Sequence, residues 1–229
     1  MRIVLVFAIL LLPLSVAASL TGTVIDPIGA SIAHTVAELD SGSRKYLARA
    51  DDAGLYQFLN LPAGDYTLTF RVPGFKVRIV RSIGLFETQQ KRIPDITLEV
   101  ASSCSGEGAS GAFATELREV TGDDSFGRLS GSVLPPAAEV EVTLICRTFS
   151  ACRSTKTDSN GRFYFDKISA GFYGLNIRRE GFYPENATGY AYAVNAGWES
   201  VYSPVLLEKC ANGNCDPKLR PKKPPAICE

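Results

Sequence analysis

Asp51-Asp52-Ala53-Gly54-Leu55-Tyr56-Gln57-Phe58 returns 107 residues further along as Asp158-Ser159-Asn160-Gly161-Arg162-Phe163-Tyr164-Phe165. Each version opens on an Asp-x-x-Gly turn, where short Asp, Asn and Ser side chains bond the local backbone and Gly takes positive φ. Each then alternates aromatic and polar residues at period two, the pattern of a half-buried strand. The repeat extends in both directions. Leu20-Thr-Gly-Thr-Val-Ile25 matches Leu129-Ser-Gly-Ser-Val-Leu134 upstream. Downstream, Leu61-Pro-Ala-Gly-Asp-Tyr-Thr-Leu68 matches Ile168-Ser-Ala-Gly-Phe-Tyr-Gly-Leu175, Gly74-Phe75 matches Gly181-Phe182, and Ile96-Thr-Leu-Glu99 matches Val205-Leu-Leu-Glu208. So many like residues in one order mean two copies of one domain.

Each copy reads as all-β. Tyr66/Leu68/Phe70 and Ile96/Leu98 keep the period-two alternation, and turn signals recur every few residues. No segment of helical length in either copy carries a 3.6-residue apolar stripe. The expected organisation is residues 1–18 as an export signal, 19–100 and 129–209 as two tandem β-sandwiches, 101–128 as a Ser/Gly-rich linker, and 210–229 as a Cys/Pro/Lys-rich tail. Within the linker, 112–120 has room for a helical turn or two.

A G-x-V strand, D-x-x-G-x-[YF]-x-F, L-x-x-G-x-Y-x-L, G-F and a closing L-E strand together resemble the carboxypeptidase regulatory-like domain. The resemblance implies a seven-stranded, antiparallel transthyretin-like (prealbumin-like) β-sandwich, similar to the Cna-B-type repeats of bacterial surface proteins. It covers 20–100 and, with departures, 129–209. The departures are Pro135-Pro136 after the first strand and the added Cys146/Cys152 pair. The resemblance implies a fold more than a function, since one fold hosts many functions. A Lys–Asn isopeptide cross-link of the Cna-B type is not expected: Leu20–Ile25 and Leu129–Leu134 lack Lys, and 95–100 and 204–208 lack Asn.

Met1-Arg2, the apolar run Ile3 to Leu14 and the small residues Ser15-Val16-Ala17-Ala18 read as a cleavable signal with its cut after Ala18. The apolar run is shorter than the roughly 20 residues of a membrane span. The mature chain is therefore expected outside the cytoplasm: secreted, periplasmic or at the cell surface. Oxidising compartments favour disulfides, and six cysteines allow fifteen connectivities. The spacing favours Cys146 with Cys152 across a hairpin tip and Cys210 with Cys215 around a tight polar loop. Cys104 is then left for Cys228, with Cys104 to Cys210 or Cys215 as the alternative.

The inventory argues against catalysis. The chain of 229 residues holds one histidine, His34, and its 24 Lys+Arg match its 24 Asp+Glu. A single His builds neither a His-rich zinc site nor the centres of related hydrolases and iron dioxygenases. The Asp-x-x-Gly segments lack the spaced ligands of a calcium loop. No cofactor, catalytic residue or metal ligand is expected, and a neutral chain has no general pull toward nucleic acid. The aromatic-rich stretch 181–203 offers a ligand face. Aligned back from Leu207, Tyr192 and Tyr202 fall on the core positions Ile83 and Ile93, whereas Tyr190 and Trp198 fall on Arg81 and Gln89. Trp198 and Tyr190 are therefore the candidate ligand-binding pair. The expected function is a non-catalytic secreted or cell-envelope module that binds a surface polysaccharide or a protein partner. A structural spacer without a ligand is the alternative.

Overall fold

The computed structural model describes residues 17–100, 115–120, 125–146, 151–202, 204–211 and 213–221, with backbone alone over 186–191. Residues 1–16, Cys104 and Cys228 lie outside the described residues, and with them most of the expected signal and the third cysteine pair; Ala18, the last residue of the expected signal, opens the first strand. In the first repeat, β1 (Ala18–Ile25) pairs antiparallel with β4 (Leu55–Leu61). It pairs parallel with the short β7 (Gln90–Arg92) and β8 (Ile96–Thr97). The facing sheet is antiparallel, in the order β3 (Lys45–Arg49), β2 (Val36–Asp40), β5 (Gly64–Phe70), β6 (Arg78–Leu85).

The period-two residues meet between these sheets. Leu20, Val24, Tyr56 and Phe58 pack against Leu39, Leu68, Phe70, Val80 and Ile83, all buried. The glycine of the G-x-V strand has a steric reason. Gly22 sits opposite Tyr56, whose hydroxyl occupies the place a Cβ would take. In the second repeat Gly131 sits opposite Phe163, whose ring lies 2.6 Å from that position. The strand must be bare there for the aromatic ring to lie over it.

The Asp-x-x-Gly turns also coincide. Asp51 Oδ1 accepts from the Ala53 and Leu55 amides at 2.9 Å, and Asp158 Oδ1 accepts from those of Asn160 and Arg162 at 2.9 Å. Gly54 and Gly161 follow at φ 74° and 73°. Both carboxylates are engaged by their own backbone, which makes these segments turns. The Tyr66 hydroxyl donates to the Pro62 carbonyl, and that of Tyr173 to the Ser169 carbonyl, fixing the same corner in each copy.

The second repeat places β10 (Gly127–Leu134) between β13 (Arg162–Ile168), antiparallel, and β16 (Trp198–Val201) and β17 (Val205–Leu206), parallel. Its second sheet runs β12 (Ala151–Lys156), β11 (Glu141–Ile145), β14 (Gly171–Arg178), β15 (Glu185–Val194). Leu129, Val142, Leu144, Phe163, Phe165 and Ile177 fill its core. The Cys146–Cys152 disulfide, with Cα atoms 5.8 Å apart, ties the end of β11 to β12, and Cys210–Cys215 closes the polar loop at 5.0 Å.

The linker departs from expectation. Thr115–Glu119 forms a strand, β9, and not a helical turn. It pairs parallel with β6 and antiparallel with β16. One sheet of each repeat thereby becomes part of a single nine-stranded sheet in the order β13-β10-β16-β9-β6-β5-β2-β3, with β17 on β10. Three residues alternate as a strand requires: Thr115 and Leu117 face inward and Glu116 outward. Leu117 is fully buried in the first core, worth roughly 1.5–3 kcal/mol. β9 also covers two sheet edges that would otherwise expose unpaired backbone groups. Arg78, the largest fully buried side chain, sits at this seam with its guanidinium carbon 5.7 Å from the centre of the Tyr202 ring.

Candidate functional site

The fused sheet has one face on the two cores and one face outward. Cross-strand neighbours point the same way, so register fixes the outer rows. Arg128, Glu199, Arg118 and Arg81 stand side by side on β10, β16, β9 and β6. Tyr164, Ser130, Val201 and Glu116 form the next row. Over β13, β10, β16 and β9 these rows enclose a groove of about 520 Å³. Arg118, Arg162, Glu199, Ser130 and Ser132 line it, and Tyr164, nearly half exposed, forms a wall. Ser130 donates to Glu199 at 2.7 Å, and Arg128 pairs with Asp166 at 3.0 Å beside it.

At the β9–β6 border, Glu116 accepts from Arg118 at 2.6 Å and from Arg81 at 3.1 Å. Burial works against the charged carboxylate there, but the hydrogen bonds and charges of Arg118 and Arg81 prevail and lower its pKa below the ordinary 4.5. Burial raises the phenols of Tyr56, Tyr192 and Tyr202, which stay neutral packing groups. No group of three or more His, Cys, Asp or Glu suited to a metal ion occurs among the described residues. His34 lies exposed at a turn with its Nε2 3.3 Å from Asp52 Oδ1, away from this groove. The arrangement supplies hydrogen-bond donors and acceptors around an aromatic wall.

The residues singled out from the sequence fall elsewhere. Trp198 is not on a solvated face. It is 7% exposed and packs with the first core. Its alignment with Gln89 is correct in register, since Glu199 pairs with Arg128 as Gln90 pairs with Ser19. What differs is the neighbour: β9 lies against β16 and the first core closes over the indole. Tyr190 lies in β15, and its side chain is outside the described residues. Tyr192 and Tyr202 do pack together, with ring centres 4.6 Å apart. The groove residues went unnoticed because Ser130, Ser132, Tyr164 and Glu199 occupy the polar half of each alternation. Only the recurrence of an aromatic there, Tyr164 between Phe163 and Phe165, sets one apart.

Residues 19–99 match the carboxypeptidase regulatory-like domain. This regulatory-like domain covers about a third of the chain, and its counterpart at 129–209 is tied to it by the internal repeat. The matched family is a regulatory-like and not a catalytic one. No curated protein matches the chain. Among solved structures the chain resembles the Bacillus anthracis TIE protein, at 15% identity over 84% of this chain and 34% of that one, TM-score 0.32. It also resembles GBS52, the minor pilin of Streptococcus agalactiae (13% identity, 91% and 99% covered, TM-score 0.29). A third is a DUF3823 family protein from Bacteroides ovatus (12%, 81% and 98%, TM-score 0.29). The chain spans about a third of the length of the first of these. Scores this low carry no weight for function. Disulfides fit an extracellular protein, and no helix among the described residues is long and apolar enough to cross a membrane.

Proposed function

We propose that this protein is a non-catalytic, exported interaction module that binds envelope polysaccharide on the outer face of its nine-stranded sheet. The observation that carries this reading is the groove of about 520 Å³, where guanidinium, carboxylate and hydroxyl groups converge beside the exposed Tyr164 ring. Such a surface exchanges hydrogen bonds with sugar hydroxyls and stacks a ring face, without apolar area enough for a hydrophobic anchor. Arg118 comes from the linker strand, so the groove is complete only when that strand is paired with β16. Export rests on the reading of residues 1–18 and is consistent with the disulfides.

The test is retention of the mature protein on insoluble polysaccharides and titration with their soluble fragments. Binding is expected, with Tyr164→Ala weakening it about tenfold, in line with loss of one stacking contact. The saccharide is expected back unchanged in mass. Absence of retention on every polysaccharide, or undiminished binding by Tyr164→Ala, overturns the reading. A second reading, a rigid spacer without ligand, is favoured by the way β9 joins both repeats into one sheet. It predicts no retention in the same experiment.

A further inference from the structure

The outer face carries a second groove, also about 520 Å³, over β2, β5 and β6 of the first repeat. Asp40, Ser41, Asp65, Thr67, Arg81 and Ser82 line it. Its residues face the same side as the first groove: Asp40 pairs with Thr67, and Arg81 pairs with Arg118 across the seam. A β-bulge opposite Thr67 presents Arg81 and Ser82 together to the surface, with Ser82 held at φ 59°. Bulges re-aim side chains in this way, and a non-glycine residue in the left-handed region marks a position the fold holds against strain. Between the grooves, Arg81, Glu116 and Arg118 form a continuous ion-paired bridge.

We propose that the two grooves are subsites of one binding site, occupied by a single neutral, linear polysaccharide chain running across the strands. This rests on the polysaccharide reading above and adds the length, direction and charge of the ligand. From β13 to β2 there are six interstrand steps, a span of about 29 Å. That length suits several sugar rings in a row, not one mono- or disaccharide. Charge decides the class. Arg118 and Arg162 are offset by Glu199 in one groove, and Asp40 and Asp65 by Arg81 in the other, with Glu116 between them. Neither groove presents the single-sign field that draws in a polyanion. Paired charges instead offer fixed donors and acceptors to hydroxyl groups. Val201 and Tyr164, with the largely buried Phe163 and Tyr202, are the apolar groups that line the first groove, too little exposed surface for the apolar centre of a protein interface.

The test titrates the mature, disulfide-intact protein with neutral cello-, manno- and chito-oligosaccharides of di-, tetra- and octasaccharide length. One octasaccharide per protein is expected, bound at least about tenfold more tightly than the tetrasaccharide, because the second subsite is engaged intramolecularly. Asp65→Ala in the second groove removes most of that gain, whereas Tyr164→Ala weakens tetra- and octasaccharide binding alike. Affinity changes less than about twofold between 50 and 200 mM salt, where a polyanion site would lose orders of magnitude. Equal tetra- and octasaccharide affinities, an unaffected Asp65→Ala, or steep salt dependence overturn this proposal while leaving the single-groove reading standing. Absence of binding at any length overturns both.

Discussion

The seam between the repeats makes a sharp prediction about Trp198, the one tryptophan in the chain. Its indole is 7% exposed and packs with the first core, although its strand belongs to the second repeat. Replacing a buried Trp by Ala costs about 3–5 kcal/mol, through lost burial and the cavity left behind. An independent check gives a similar figure: about 200 Å² of aromatic surface at about 25 cal/mol/Å² is roughly 5 kcal/mol, an upper bound. With a urea dependence of about 2 kcal/mol/M, Trp198→Ala moves the unfolding midpoint down by roughly 2 M. Far-UV circular dichroism follows the variant, which has lost its fluorophore. In the wild type, Trp198 fluorescence reports the seam while circular dichroism reports all strands. If β9 makes the repeats one cooperative unit, the two transitions coincide. A destabilisation under about 1 kcal/mol, or native emission typical of indole in water, refutes the packing argument.

Three further outcomes follow from single side chains. Gly54→Ala and Gly161→Ala each cost more than about 1 kcal/mol by thermal unfolding, since φ is near 74° and a Cβ would come within 2.6 Å of the Val24 carbonyl or 2.9 Å of that of Val133. Gly29→Ala, at φ 87° with nothing within 4 Å, costs less and serves as control. Arg78→Met is neutral or stabilising by up to about 3 kcal/mol in denaturant titration, because Arg78 is 1% exposed and its Nε and Nη1 lack hydrogen-bond partners. A loss above about 2 kcal/mol would show instead that its contact with Tyr202 governs the seam. Glu116, with its pKa lowered by Arg118 and Arg81, stabilises the folded state above pH 4.5 and loses that contribution as pH falls through its lowered value. Glu116→Gln therefore shows a smaller acid-induced drop in thermal midpoint than the wild type in that window.

The architecture of each repeat was legible because its determinants are local. Tyr56 and Phe58 declare a half-buried strand, Asp51 and Gly54 a turn, and their return at Asp158 to Phe165 a duplicate. The seam was not legible. Thr115-Glu-Leu-Arg-Glu119 offers one large apolar residue, Leu117, in five positions, beside a Ser/Gly-rich stretch. Its strand conformation comes from the edges of β6 and β16, which tertiary folding brings to it. Trp198 shows the same limit from the other side. Alignment gave its register, but its exposure depends on a strand from another segment. The groove stayed hidden because polar residues facing out of a sheet look alike until cross-strand register assembles them.

The manner of the joining also explains why duplication did not produce two identical sites. By the repeat, β6 corresponds to β15, since Phe70 pairs with Arg78 as Ile177 pairs with Glu185. Likewise β7 corresponds to β16. β9 therefore joins non-equivalent edges: the β6 side of the first repeat to the β16 side of the second. The outer face of the fused sheet combines β3-β2-β5-β6 of one copy with the counterpart of β4-β1-β7 in the other. Those faces diverged before any ligand is considered, because they are different walls of the same sandwich. One contributes Asp40, Asp65 and Arg81, and the other Arg162 and Glu199 together with Arg118 from the linker strand. A junction between equivalent edges would have placed like groove beside like groove with a two-fold relation. The heterologous junction sets two different grooves side by side in a fixed order, so the surface has a direction, and a chain bound across both, as proposed above, would lie in one orientation.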